Sequence, residues 1–211
     1  MNLRESIEWN WYKITSNNNF DINLVSKFPD KQWDWYKITS TYNFDIKWVD
    51  KFPDKPWDWN LISCMHTVDL DFIDKYHDKL SFDKLTSNSN FNIEWVNKFP
   101  DKPWDWNLIS CMHTVDLDFI DNHHNDLYFY ELTSNSNFNI GWVNKFPDKL
   151  WDWNLISCMS TVDIDFIDKY HDKLSFDKLT SNSNFNIEWI IKYPKKNWVL
   201  NSYEENGDIS D

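Results

Sequence analysis

The chain has 211 residues, 41% of them apolar, which is enough for a substantial core, and a formal net charge of −13. Such a charge repels a nucleic-acid backbone or an anionic membrane, and neither is expected as a partner. No stretch approaches the ~18 apolar residues of a membrane span, and Met1 to Trp11 lacks the apolar run of a signal peptide.

Composition is skewed. There is no Ala, one Arg (Arg4) and two Gly (Gly141 and Gly207), while Asn, Asp, Lys, Ile and Phe abound, as an AT-rich genome produces. Compositional drift does not account for 15 Trp, so these are assigned to the fold.

Residues 1–8 precede the first recognisable repeat and are read as an N-terminal cap. The stretch Lys51-Phe52-Pro53-Asp54-Lys55-Pro56-Trp57-Asp58-Trp59 then governs the rest. It returns at Lys98 to Trp106, at Lys145 to Trp153 and, in an earlier form, at Lys27 to Trp35. From Trp57 the period is 47 residues, so that 57–103, 104–150 and 151–197 are near copies. Within it lie two shorter units of 23 and 24 residues. Self-similarity at this period marks a stacked repeat protein. The predicted fold is all-α, an α-solenoid of eight two-helix repeats over 9–197 in a single repeat domain.

Each repeat is predicted to hold two short helices. The first, helix A, is expected to open after Asp54-Lys55-Pro56, because Pro is tolerated in a first helical turn. Trp57 with Leu61 and Trp59 with Ile62 then make apolar pairs. Asp58 interrupts that arc and is assigned a capping role, its carboxylate accepting unpaired N–H groups at the helix start. Trp33, Trp35, Trp57, Trp59, Trp104, Trp106, Trp151 and Trp153 are expected to form the structural core.

Helix B follows a polar loop. Each begins behind a good N-cap: Asp21, Asp45, Asp69, Asn92, Asp116, Asn139, Asp163 or Asn186. Ile46, Trp48, Val49 and Phe52 form its apolar arc, opposite Lys47, Asp50 and Lys51. Pro53, Pro100 and Pro147 end it, with His77, His124 and His171 at that place in alternate repeats. Eight or nine residues is the expected length, marginal without stacking. Trp198-Val199-Leu200 is read as the start of one more helix A in a C-terminal cap, and 204–211 as an acidic tail.

The run Phe-Pro-Asp-Lys-Pro-Trp-Asp-Trp, followed by Ile-Ser or Ile-Thr and an Asn-rich turn, resembles the short Trp-rich tandem repeats encoded by giant DNA viruses of amoebae. The resemblance covers residues 9 to 200. Repeats 80–103, 127–150 and 174–197 depart from it, with Phe where the motif has its second Trp. It implies an α-helical repeat protein of a large virus, in host cytoplasm or virion, and brings no catalytic residue or ligand.

Three constellations could carry chemistry. Cys64-Met65-His66 recurs as Cys111-Met112-His113 and Cys158-Met159-Ser160. Copies two repeats apart, about 20 Å if helix layers are about 10 Å thick, lie beyond disulfide reach. With a His lost in the third, they are read as reduced thiols in buried loop packing and no metal site, in keeping with an intracellular chain. His77, His123, His124 and His171 are placed at solvated turns. With no nucleophile beside them and no Gly-rich phosphate loop, no catalytic residue is assigned, no cofactor is implied, and the chain is not expected to be an enzyme.

The third constellation is the exposed face of helix B. Asp71, Glu94, Asp118, Asp165 and Glu188 fall in one column when repeats stack in register; Asp74, Asp121 and Asp168 fall beside it. They form either an ordinary solvated face laced by i,i+4 pairs such as Glu94 with Lys98, or a ridge for a basic protein partner. The expected function is a non-enzymatic scaffold for protein–protein interaction, and self-association into a structural or virion component is the alternative.

Overall fold

Every repeat opens on an extended segment rather than on a helix, and this sets how its Trp residues are used. The computed structural model describes residues 9–199 except Asn18. The expected cap at 1–8, the continuation at Leu200 and the tail at 204–211 lie outside the described residues. Among these, sixteen helices and no strand occur, an all-α repeat architecture. The A helices are α1 (Trp11–Thr15), α3 (Trp35–Thr39), α5 (Trp59–Ser63), α7 (Phe82–Thr86), α9 (Trp106–Ser110), α11 (Phe129–Thr133), α13 (Trp153–Ser157) and α15 (Phe176–Thr180). The B helices are α2 (Asn23–Lys27), α4 (Lys47–Lys51), α6 (Leu70–Tyr76), α8 (Ile93–Lys98), α10 (Leu117–His123), α12 (Ile140–Lys145), α14 (Ile164–Tyr170) and α16 (Ile187–Lys192). The chain falls into two compact units, 1–105 and 106–211, carrying α1–α8 and α9–α16.

The helices are shorter than expected, five to seven residues, and helix A starts two residues late. The cause is the capping Asp. Asp58 stands at the N-cap of α5, outside the helical region, and its carboxylate accepts the Leu61 N–H at 3.0 Å. Trp57 therefore lies before the helix, where its indole N–H donates to the Phe52 carbonyl at 2.9 Å. Asn10, Asp34 and Asp152 cap in the same way. In the Phe-led helices, Ser81 and Ser175 do not cap; their hydroxyls donate to Asp83 and Asp177.

All eight acceptors expected before helix B accept a backbone N–H in its first turn, from Asp21 to the Asn23 N–H through Asn186 to the Glu188 N–H, at 2.8–2.9 Å. Pro53, Pro100 and Pro147 hold α4, α8 and α12 to five or six residues, whereas α6, α10 and α14 reach seven.

Consecutive A helices stack within each unit, α5 on α7, α9 on α11 and α13 on α15. A buried hydroxyl fastens each pair. Thr133 Oγ1 donates to the Phe129 carbonyl at 3.0 Å and accepts the Asp152 N–H of the next repeat at 3.1 Å. Thr39, Ser63, Thr86, Ser110 and Ser157 make the same two bonds. Donating to its own helix while capping its neighbour satisfies groups that stacking removes from water. A second fastener is the buried amide of Asn88, Asn135 and Asn182. Asn135 Nδ2 donates to the Ser110 and Met112 carbonyls, each at 2.9 Å.

The core alternates in size with the 47-residue period. Trp57, Trp104 and Trp151 are buried, each edge-on to the leading aromatic of the preceding helix A, with centroids 4.7–4.8 Å apart. In the intervening repeats Leu80, Leu127 and Leu174 take that place. Trp33 and Trp35 are buried as well. Trp59, Trp106 and Trp153 are only half-buried: leading the short helix, they reach its rim, where Tyr76, His123 and Tyr170 cover one side. Trp95, Trp142 and Trp189 of helix B are buried in their stead, at 5% exposure each.

Candidate functional surface

The lysines of helix B do not form the expected i,i+4 pairs. They reach back to the second column of the preceding repeat: Lys75 to Asp50, Lys98 to Asp74 at 3.0 Å, Lys145 to Asp121, and Lys192 to Asp168 at 2.6 Å. At Asn144 the lysine bonds an amide oxygen instead, Lys169 donating to it at 2.8 Å. A tyrosine seals several of these contacts. Tyr76 donates to Asp50 at 2.7 Å and Tyr193 to Asp168 at 2.6 Å. Hydrogen bonds from Lys75 and Tyr76 hold the Asp50 carboxyl below its ordinary value, and Lys192 and Tyr193 do the same to Asp168. Burial, and then the bond to Asp168, pushes the Tyr193 hydroxyl up to about 12.

The two columns therefore differ in kind. Asp74, Asp121 and Asp168 are neutralised by the following repeat. Asp71, Glu94, Asp118, Asp165 and Glu188 are exposed, and no ion pair reaches them among the described residues. The stacking of the helices thus spends the lysines on one column and leaves the other bare.

A second lysine series escaped the sequence reading. Lys55, Lys79, Lys102, Lys149, Lys173 and Lys196 each lie over the leading aromatic of an A helix, 5.2–5.8 Å from the ring centroid. Several also donate to a carbonyl one repeat back, Lys79 to Pro53 at 2.9 Å for example. The Asp-Lys dipeptide that holds Lys55, Lys79, Lys102, Lys149 and Lys173 after their B helices was the available signal. Asp126 breaks the series beside Trp106.

The histidines are not equivalent. His123 is buried at the end of α10, 4.4 Å from the Phe119 ring, at the place of Tyr76 and Tyr170, and burial lowers its pKa. A solvated turn does not describe it. His77 and His171 have a buried Nδ1 2.8 Å from the Asp78 and Asp172 carboxylates, without hydrogen-bond geometry. In the repeat between, Asn125 replaces that Asp, and His124 Nδ1 meets the Asp121 carbonyl at 2.9 Å.

Cys64, Cys111 and Cys158 are exposed, against the expectation of buried packing. Helix A is over by Ser63 and Ser157, so Cys64 and Cys158 fall at the C-cap and turn outward. No group of three His, Cys, Asp or Glu is placed to hold a metal among the described residues.

The second unit also carries a groove of about 570 Å³ between its second and third repeats, walled by Phe138, Ile140, Leu155 and Met159 with Ser160 and Thr161 at the mouth. A smaller one of about 250 Å³ adjoins it through Ile140 and Thr161 and reaches Asp163 and Asp165. No protein-family model matches the chain, and neither a curated protein nor a solved structure does.

Proposed function

We propose that this chain is a non-enzymatic helical-repeat scaffold that binds basic protein partners along the outward faces of its B helices. One observation carries the reading: Asp71, Glu94, Asp118, Asp165 and Glu188 are exposed without a cation, while the neighbouring column is neutralised by lysines. Bare carboxylates on exposed helix faces attract a cationic surface. The reading includes the kinship with giant-virus Trp-rich repeats and a place inside the infected cell or the virion. Affinity capture from native cells tests it, using the chain and a variant with Asp71, Glu94, Asp118 and Asp165 reversed to Lys. Basic proteins held by the first, lost from the second and released by salt support it. Partners held equally by both would refute it.

Self-association is the second reading, favoured by Ile187 and Ile191 of the last repeat and by Val199 just after it, which are 60%, 72% and 51% exposed. Growth of light scattering with concentration, abolished by Ile191→Asn, would support it.

A further inference from the structure

The groove in the second unit differs from its own counterpart in the first. Ninety-four residues earlier the chain has Asp45 where the groove has Asn139, and His66 where it has Ser160, while Phe44, Ile46, Leu61 and Met65 repeat the apolar wall. Two titratable side chains are thus replaced by smaller or uncharged ones around an unchanged apolar surface. The concavity at 138–161, about 570 Å³, lies in the range of sites that seat a ligand group. Its lining holds no charged residue, in a chain of net charge −13.

Charge returns at two edges, first in a groove that shares Asn139 and holds Asp116, whose carboxylate accepts the Phe119 N–H at 2.9 Å. The second edge is the adjoining groove, which shares Ile140 and Thr161 and contains Asp163, Asp165 and Lys169. The Asp163 carboxylate accepts the Phe166 N–H at 2.8 Å, and Lys169 is turned back onto Asn144 at 2.8 Å and the Tyr170 ring. Asp165 is exposed with no ion pair among the described residues. An apolar seat beside a bare carboxylate is complementary to an apolar side chain beside a cation.

We infer that this surface docks a protein segment in which a leucine-like side chain fills the Phe138–Ile140–Leu155–Met159 groove and an adjacent lysine or arginine meets Asp165. The inference rests on the scaffold reading and gives its partner a local chemistry. Apolar burial supplies affinity, and the flanking charge fixes direction. A His in place of Ser160, as in the sister repeats, sets an imidazole where the groove lining has a hydroxymethyl group.

The test is a titration of the ¹⁵N-labelled chain with the peptide Ac-Gly-Ser-Leu-Lys-Ser-Gly-NH₂, followed by amide shifts. Shifts are expected around Phe138–Ile140 and Leu155–Asp165. Ser160→His and Asp165→Lys should each weaken binding by about tenfold or more, a change of about 1.4 kcal/mol. Both variants should fold, since His66 and His113 stand at the first position in sister repeats and Asp165 is exposed. Asp30→Lys, at an exposed residue that lines neither groove, should bind as the native chain does. No shift at millimolar peptide, or unchanged binding by Ser160→His or Asp165→Lys, overturns the inference. Equal binding of a peptide with Ala for Leu also overturns it, while leaving the acidic-face reading intact. Failure of that reading would be seen separately, in native-cell capture without basic partners.

Discussion

Replacing Thr133 by Val isolates the hydroxyl rung that fastens one A helix to the next. The side chain is 1% exposed, and Val keeps its shape. What is lost is a donor to the Phe129 carbonyl at 3.0 Å and an acceptor for the Asp152 N–H at 3.1 Å. The Phe129 carbonyl also belongs to the start of a helix, so its loss is the smaller part. The Asp152 N–H is left in the stacking interface without its acceptor, and such a group costs about 1–3 kcal/mol. A destabilisation of about 2 kcal/mol is expected, or about 4–8 °C in melting temperature for a chain of this size. Thr133→Ser keeps both bonds, as Ser110 and Ser157 do in place of Thr, and should lose under about 1 kcal/mol. Urea unfolding followed by Trp fluorescence gives the free energies, and amide hydrogen exchange localises the effect. In Thr133→Val the Asp152 amide should exchange faster well before neighbouring repeats do. If Val and Ser are equally stable and the Asp152 amide stays protected, the hydroxyl does not fasten the repeats.

Trp151→Ala should cost about 3–5 kcal/mol, because Trp151 is buried against Phe129 and Phe138; Trp153→Ala, at the rim, should cost distinctly less in the same urea experiment. Burial lowers the His123 pKa from the ordinary 6.5, so the unfolded chain binds the extra proton first and the stability due to neutral His123 is present above pH 6.5. It should be lost as pH falls from there through the folded value, and His123→Tyr, the residue of the sister repeats, should flatten that part of a stability-versus-pH curve. All three thiols should react with a thiol reagent in the native chain, since Cys64, Cys111 and Cys158 are exposed; protection until unfolding would contradict their placement at the outer rim.

Features encoded within a few residues were legible in the sequence. The 47-residue period, the capping residues and the Pro stops are local, because a cap needs only a side-chain oxygen two or three residues before the N–H it accepts. The all-α repeat architecture followed from them. Helix length was misjudged at the one point where two local signals compete: Pro56 permits a first turn at Trp57, but Asp58 caps more strongly and moves the start to Trp59.

Choices between equivalent partners were decided by tertiary structure. Lys98 could have paired with Glu94 on its own helix, and in the fold it bonds Asp74 of the preceding repeat. The i,i+4 spacing offered only an exposed pair of small energy, whereas stacking brings the other carboxylate within reach while the Lys98 ammonium lies over the Phe99 ring. The acidic ridge split for this reason, one column neutralised and one left bare. The Cys residues and Trp59 were likewise misplaced, because burial depends on which side of a five-residue helix meets its neighbours, and repetition in sequence is the same for a core position and a rim position. The groove beside Ser160 could be found only once the fold had set Asn139 and Ser160, 21 residues apart, on the walls of one cleft.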